Sequence, residues 1–239
     1  MDLTIHEREK YKEIWNHDKY RTFSPGERIV ERFKLIDWMK ALGVKTVLDA
    51  GCGSGKLMRR LLEDENALFD VNGFDIAENC LDTYFNPFKD EILKTGVLWD
   101  SKDFNTSYDA IICTDVLEHI PGEGLKKAVE NIKKHITKDG FLIGTLPLGE
   151  NLDDNMVICP RCRHEFHRIG HYHSFDSFER IKKLLEPDFK TIKIGYVPFS
   201  VFDLNFLNCT AFSLYRFLCK VSGVKKANTV YFIAKPNKS

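Results

Sequence analysis

The hydrophobic pattern of the chain changes early in the sequence. Over residues 1–42 apolar side chains recur at helical spacing, as at Ile29 and Phe33, and Ser24-Pro25-Gly26 divides this helical region. From there on, short apolar runs alternate with amphipathic stretches, which is typical of strands and helices that build a parallel sheet. We therefore expect an α/β protein with a helical lead-in over residues 1–42 and one main domain over residues 43–239.

Seven apolar runs have the length and composition of strands, and amphipathic stretches separate most of them. The predicted strands are Thr46–Asp49, Val71–Phe74, Gly96–Trp99, Ala110–Cys113, Phe141–Thr145, Ile192–Tyr196 and Thr229–Ala234. The predicted helices are Gly55–Glu63, Ala77–Phe85, Leu125–His135, Phe175–Leu185 and an apolar stretch at 205–220. The pattern predicts a mostly parallel seven-stranded sheet with helices on both faces.

One segment, residues 148–174, interrupts this alternation and concentrates cysteine and histidine. Two cysteines three residues apart, followed by two histidines four residues apart, offer the four ligands that tetrahedral zinc prefers. The predicted ligands are Cys159, Cys162, His167 and His171. His164 or His173 could replace one of these histidines, or the cysteines could simply be reduced thiols. We predict an insertion whose structural zinc fixes it over the cleft, although Arg163 stands where such knuckles often have glycine.

A glycine-rich loop carries the strongest chemical signal. The first predicted strand ends at Asp49, and Gly51, Gly53 and Gly55 follow at alternate positions before a helix. Because glycine has no Cβ, the backbone of such a loop can approach a ligand closely, and the helix N-terminus offers free N–H groups. Asp75 ends the next predicted strand, where an acid suits the two hydroxyls of a ribose. The loop predicts a nucleotide-bearing cofactor.

Three segments carry a resemblance to a known family: VLDAGCGSG from Val47, GFDIAENCL from Gly73 and YDAIICTDVLEHI from Tyr108. They resemble motifs of class I S-adenosylmethionine-dependent methyltransferases over roughly residues 20–150. The resemblance implies a Rossmann-like, doubly wound fold, S-adenosylmethionine as cofactor, and methyl transfer to a small-molecule or polymer-attached metabolite, expected at oxygen. The alternative is a cofactor-binding module without catalysis that acts as a partner or scaffold.

The resemblance also implies which residues contact the cofactor. The expected contacts are Arg21 with the carboxylate, Asp49, Gly51, Gly53 and Gly55 with the methionine part, Asp75 with the ribose, Ile76, Asp100 and Ser101 with the adenine, and Thr114 near the sulfonium. A guanidinium fork suits a carboxylate, but Arg21 also fits a solvated helix position, and both interpretations stay open.

The segment after the fourth predicted strand supplies the candidate catalytic residues, Asp115 and His119. If this segment starts a helical turn, Asp115, Glu118 and His119 share one face. Such a face could hold a divalent cation that orients an acceptor hydroxyl. Some methyltransferases use a similar arrangement with a later histidine, so the resemblance implies that His171 or His173 would complete this site. His119 as a general base or a substrate contact, and a purely structural turn, are the alternatives.

The composition argues against some classes of binding partner and favours one cellular compartment. Lysine plus arginine and aspartate plus glutamate both number 35, so no basic excess points to nucleic acid. We expect no signal peptide and no membrane span, because no apolar window is long enough. Seven cysteines without disulfide spacing indicate a reduced, cytoplasmic protein.

The phenylalanine-rich stretch at 199–218 predicts a helix packed on the sheet; a homodimer face or an apolar pocket wall is the alternative.

Overall fold

A seven-stranded sheet forms the centre of the protein. The structure is a computed structural model, and it describes residues 35–65, 68–78, 80–100, 106–197 and 228–237, together with Glu13 and His17. Its strands are β1 (Thr46–Ala50), β2 (Asp70–Asp75), β3 (Leu93–Thr95), β4 (Tyr108–Thr114), β5 (Ile136–Leu148), β8 (Phe189–Tyr196) and β9 (Asn228–Pro236); a separate hairpin contains β6 (Met156–Ile158) and β7 (Glu165–His167). The sheet order is β3-β2-β1-β4-β5-β9-β8. β1 to β5 pair in parallel, and β9 runs antiparallel to both of its neighbours.

Helices cover both faces of this sheet. Within the described ranges, the α-helices are α1 (Leu35–Ala41), α2 (Lys56–Leu62), α3 (Lys89–Ile92), α4 (Gly124–Lys134) and α5 (Phe178–Leu185). Side chains of a strand alternate between its faces, so Val47 packs with α1 and α2 in one apolar core, and Leu48 packs with α4 and α5 in the other. The predicted mostly parallel, doubly wound α/β fold is confirmed.

The predicted helix Ala77–Phe85 is wrong. The described residues of this stretch form turns, followed by a 3-10 turn at Asn86–Phe88. Asp82 explains the difference, because its carboxylate accepts a hydrogen bond from the Tyr84 N–H at 3.0 Å and pairs with Arg59 on α2. Its own N–H donates to the Ser54 carbonyl at 3.1 Å. These bonds hold the backbone in a turn that competes with a helix.

The third predicted strand, Gly96–Trp99, is displaced along the chain. β3 pairs with β2 through Leu93 to Thr95, and the apolar run that follows lies in a turn. Val97 and Leu98 are still buried, and Trp99 lies against Gly124 at the start of α4. Burial by a helix, without a strand partner, therefore accounts for this apolar run.

The insertion leaves and rejoins the sheet at one place. Leu148 at the end of β5 bridges to Phe175, and the Gly149 N–H donates to the Phe175 carbonyl at 2.7 Å. Phe175, the first residue of the predicted helix Phe175–Leu185, lies in this bridge. α5 begins later, at Phe178, because Ser177 caps it by accepting from the Arg180 N–H.

Several predictions fall outside the described residues. They concern most of the lead-in over 1–42, the apolar stretch at 199–218, Arg21 and Ser101. Of the helices described here, none combines the length and the apolar character that crossing a membrane requires.

Candidate active site

The glycine loop leaves an open space at its centre. Gly51, Gly53 and Gly55 have φ of 84°, 51° and 78°, in the left-handed region that favours glycine. A Cβ at Gly51 would lie 2.3 Å from the Val116 side chain, and one at Gly55 would lie 2.9 Å from the Phe85 ring. A Cβ at Gly53 would meet nothing within 4 Å. The outer two glycines therefore allow close packing, and the middle one borders open space, which we call the cleft.

Asp75 is the acid that organises this loop. Its carboxylate accepts a hydrogen bond from the Gly53 N–H at 2.8 Å and another from the Ala77 N–H at 2.9 Å. Burial raises the pKa of Asp75, and these backbone donors oppose that increase. Each carboxylate oxygen keeps a second lone pair, so the side chain can still accept from ligand hydroxyls.

Asp49 is a buried carboxylate beside the same cleft. It is 1% exposed, and neither of its oxygens has a hydrogen-bond partner among the described residues. Burial, and then the neighbouring charge of Asp75, raise its pKa to about 8. An unpartnered buried carboxylate is unfavourable, so a cationic ligand would be stabilised next to it.

The structure gathers the predicted cofactor residues at one edge of the sheet. Asp49, Asp75 and Thr114 lie at or near the carboxyl ends of β1, β2 and β4, which are adjacent in the order β2-β1-β4. Open α/β sheets bind ligands at this edge. Ile76 is half-buried beside Asp75, whereas Asp100 is exposed in a turn that its N–H closes onto the Val97 carbonyl. The cofactor roles of these residues stay predictions.

The segment after β4 turns sharply into a 3-10 turn, Leu117–His119. Asp115 has a φ of 51°, a conformation that aspartate tolerates better than most residues, and its N–H donates to the Thr145 carbonyl at 3.1 Å. The helical spacing expected for this segment is therefore lost. Glu118 and His119 form a group of close ligand atoms with His171, and Asp115 is not a member of it.

Three histidine rings and a carboxylate pack together next to this turn. The ring centroids of His119 and His171 are 4.7 Å apart, and those of His171 and His167 are 4.9 Å apart. Glu150 lies 2.5 Å from His171 Nδ1 and 3.5 Å from His167 Nε2. Burial, and then the neighbouring His171, lower the pKa of His119 to about 3, so its imidazole is neutral at physiological pH.

The predicted zinc ligands do not come together. Cys159 and Cys162 lie in the turn of the β6-β7 hairpin, where backbone N–H groups of Cys162 and Arg161 lower the pKa of Cys159. His167 pairs with Met156, three residues before Cys159, which separates the cysteine from the histidine by about 10 Å along an extended strand. Among the described residues, the ligand groups containing His167 and His171 include carboxylates and no cysteine.

Sequence reasoning missed Glu150. Its signal was its place just after β5, at the carboxyl edge of the parallel strands and next to β4. The buried group formed by Cys52, Asp75 and Cys80 was also missed, because Cys80 lies in the turn that replaces a predicted helix.

The sequence profile of a family described as a methyltransferase domain matches residues 19–187, which is well over half of the chain. The chain belongs to this methyltransferase domain family. A curated relative, the ubiquinone biosynthesis O-methyltransferase of Rickettsia conorii, is 29% identical over 100 residues, which are 41% of this chain and 33% of the relative. The chain spans a third to a half of the length of the first curated relatives it matches.

Solved methyltransferase structures share the fold of this methyltransferase-domain chain. An S-adenosylmethionine-dependent methyltransferase from Clostridium acetobutylicum superposes with a TM-score of 0.61 at 14% identity, covering 96% of this chain and 99% of that one. The magnesium protoporphyrin IX methyltransferase of Synechocystis, solved with bound S-adenosylmethionine, superposes with a TM-score of 0.59 at 16% identity, covering 99% and 100%. At these identities the likeness shows the fold alone.

Proposed function

We propose that this methyltransferase-domain chain transfers a methyl group from S-adenosylmethionine to a hydroxyl oxygen of a small molecule. The observation that carries the proposal is the cleft in which the buried, unpartnered Asp49 lies beside the open face of Gly53 and the carboxylate of Asp75. This combination suits a ligand that has both positive charge and a ribose. The Rickettsia conorii relative is named an O-methyltransferase, which supports oxygen as the acceptor atom.

The residues of the cleft would bind and orient the cofactor. Asp49 and the glycine backbone would lie along its methionine part, and Asp75 would accept hydrogen bonds from its ribose hydroxyls. When bound, S-adenosylmethionine supplies a methyl group that its sulfonium already activates. The task left to the protein is to align that methyl group with the acceptor oxygen and to exclude water.

The turn after β4 would form the acceptor side of the cleft. Val116 packs against Gly51, which places the start of this turn next to the glycine loop. His119 is a neutral imidazole, so it can accept a hydrogen bond from an acceptor hydroxyl or bind an ion. A pKa of about 3 makes His119 a weak base, which favours these two roles over proton abstraction.

A cofactor-binding module without catalysis is the second candidate, because the features of the cleft are evidence for cofactor binding and do not by themselves require methyl transfer. Incubation with methyl-labelled S-adenosylmethionine and a panel of small molecules that carry hydroxyl, amine or thiol groups separates the two. We expect labelled product from hydroxyl acceptors. Cofactor binding without turnover across the whole panel would favour the silent module, and labelled amines or thiols would refute oxygen as the acceptor atom.

Several expectations stay predictions. They are a bound structural zinc ion, a polymer-attached acceptor, the homodimer, the cytoplasmic location and the absence of a nucleic-acid partner. Elemental analysis tests the zinc ion, and light scattering of the purified chain tests the dimer.

A further inference from the structure

Two buried cysteines lie beside Asp75 at the glycine loop. Cys52 belongs to the loop, Cys80 lies in the stretch of turns after β2, and both are less than a tenth exposed. Their sulfur atoms and one carboxylate oxygen of Asp75 all lie within 4.8 Å of one another. We propose that Cys52, Cys80 and Asp75 bind Zn²⁺, and that this ion and the cofactor exclude each other.

The ligand atoms of this group select the class of ion. Cysteine sulfur and aspartate oxygen are both ligands that Zn²⁺ takes in proteins, and soft thiolates favour it over Mg²⁺ and Ca²⁺. Among the described residues, no other close group of potential ligand atoms contains a cysteine. Three protein ligands leave the fourth tetrahedral position for water. The group therefore fits Zn²⁺, with Cd²⁺ as a spectroscopic substitute.

Backbone hydrogen bonds hold Cys52 next to the end of β2. The N–H groups of Gly51 and Cys52 both donate to the Phe74 carbonyl, at 2.6 and 3.2 Å, one residue before Asp75. A Cβ on Gly73 would lie 2.8 Å from Cys52 Sγ, so the missing side chain on β2 makes room for this sulfur atom. The loop cysteine and the acid at the end of β2 are therefore positioned together before any ligand binds.

The second cysteine reaches the loop through the turns that replace a predicted helix. The Asp82 N–H donates to the Ser54 carbonyl at 3.1 Å, and the Asp82 carboxylate pairs with Arg59 on α2. The Cys52 thiol donates to the Cys80 sulfur, and this bond, followed by burial, raises the pKa of Cys52 well above its usual range. The two sulfur atoms are thus in direct contact, and both are anchored to neighbouring backbone.

The ion and the cofactor would compete for Asp75. Its two oxygens each accept one backbone hydrogen bond, from the Gly53 N–H at 2.8 Å and from the Ala77 N–H at 2.9 Å. An oxygen that also binds Zn²⁺ has no lone pair left for a ribose hydroxyl. This exclusion rests on the proposed function, because it requires Asp75 to bind the ribose. Free Zn²⁺ is then a competitive inhibitor of cofactor binding, and each ligand weakens the other by the same factor.

Binding of Zn²⁺ and Cd²⁺ by the purified full-length chain tests the site without cofactor or acceptor. The protein is stripped with a chelator and kept reduced by a phosphine. We expect equilibrium dialysis with elemental analysis to show Zn²⁺ binding, and Cd²⁺ to give thiolate charge-transfer absorption in the ultraviolet. Cys52→Ser and Cys80→Ser should each weaken binding by at least about 100-fold, since loss of an outer-shell partner alone costs about 10–100-fold.

Two other cysteines provide matched controls. Cys113→Ser changes a buried free cysteine of β4 and should leave this Zn²⁺ affinity unchanged. Cys159→Ser removes any ion bound at the hairpin turn and should keep the ion at Cys52 and Cys80. Binding that Cys159→Ser abolishes and Cys52→Ser keeps would place the ion at the hairpin and would overturn the inference.

Competition with S-adenosylhomocysteine tests the exclusion. At about ten times its own Kd, this ligand should weaken Zn²⁺ binding about tenfold. In the reverse experiment, calorimetry of the unchanged chain should show weaker S-adenosylhomocysteine binding when Zn²⁺ is present. Cys80→Ser keeps Asp75 and the glycine loop, so it should bind S-adenosylhomocysteine equally well with and without Zn²⁺.

Absence of Zn²⁺ binding by the folded chain, or equal affinity in Cys52→Ser, Cys80→Ser and the unchanged chain, would overturn the inference. Zn²⁺ and S-adenosylhomocysteine that bind together without weakening each other would overturn it too, since Asp75 would then not be shared. A circular dichroism melt verifies that each variant folds, and Cys80→Ser decides if Cys52→Ser does not fold. If S-adenosylhomocysteine does not bind but both cysteine variants lose Zn²⁺, the proposed function and the exclusion fail, whereas the metal site is supported.

Discussion

The Nδ1 atom of His171 lies 2.5 Å from the Oε2 atom of Glu150, a residue 21 positions earlier in the chain. Both side chains are more than nine-tenths buried. The pair connects the end of β5 to the far end of the insertion, beside a second connection in which Ser174 donates to the Glu150 carbonyl. These contacts fix the insertion against the turn that carries Glu118 and His119.

Glu150→Gln should loosen the insertion, because it removes the charge from a buried hydrogen-bonded pair. We expect a loss of about 1–3 kcal/mol in the free energy of unfolding, and faster amide hydrogen exchange over residues 156–174 than in β1 to β5. Asp153→Asn, an exposed acid of the same insertion, is the matched control and should change neither. Unchanged exchange over 156–174 in Glu150→Gln would show that this pair does not hold the insertion.

Gly53→Ala should impair cofactor binding more than it impairs folding. Its Cβ would meet no protein atom within 4 Å but would project into the cleft, at a φ of 51°. Gly43→Ala is the control, since Gly43 has a φ of 72° and equally open surroundings outside the candidate site. Both variants should lose about 1 kcal/mol of stability. Calorimetry should give at least a tenfold weaker S-adenosylhomocysteine affinity for Gly53→Ala alone; equal affinities would remove Gly53 from the cleft.

Asp49 should make stability depend on pH in the cofactor-free protein. The folded chain keeps this proton up to about pH 8, whereas the ordinary aspartate value is 3.8, so between these limits the folded state binds the extra proton. The free energy of unfolding therefore falls as pH rises through this window, by at most about 1.4 kcal/mol per pH unit.

Asp49→Asn cannot ionise, so its stability relative to the unchanged chain should increase from about pH 5 to about pH 8. Urea unfolding at the two pH values, in buffers of equal ionic strength, measures the difference. Asp70→Asn, at the exposed start of β2, provides the matched comparison. A difference between Asp49→Asn and the unchanged chain that is the same at both pH values would contradict the assignment.

Arg163→Gly should stabilise the hairpin turn. Arg163 has a φ of 60°, which costs a residue with a side chain about 1–2 kcal/mol relative to its preferred conformations, and glycine avoids this cost. Arg161→Gly, two positions earlier and without a positive φ, should instead lower stability because glycine gains freedom in the unfolded chain. Thermal unfolding of both variants measures the contrast, and the same sign for both would refute the strain argument.

Local rules predicted most of the fold. The strand from Thr46, the glycine loop and Asp75 follow from alternation and loop chemistry that a few neighbouring residues determine. The third strand was misplaced because tertiary contacts bury Val97 and Leu98, and this burial gives the sequence the apolar pattern of a strand. The residues on the acceptor side of the cleft were harder to predict from the sequence. Glu118, Glu150 and His171 come close only after β4, β5 and the insertion have packed together.

Calorimetric titration of the purified chain with S-adenosylmethionine and S-adenosylhomocysteine tests the central claim most directly, with Asp75→Asn as the variant. We predict micromolar binding of both ligands and at least a tenfold loss in Asp75→Asn, with Asp70→Ala unchanged. An analogue that lacks the ribose 2′-hydroxyl should bind the unchanged chain and Asp75→Asn with more similar affinities. No binding of either ligand to fully folded protein would contradict the account, because the cleft at Asp49, Gly53 and Asp75 would then serve another ligand.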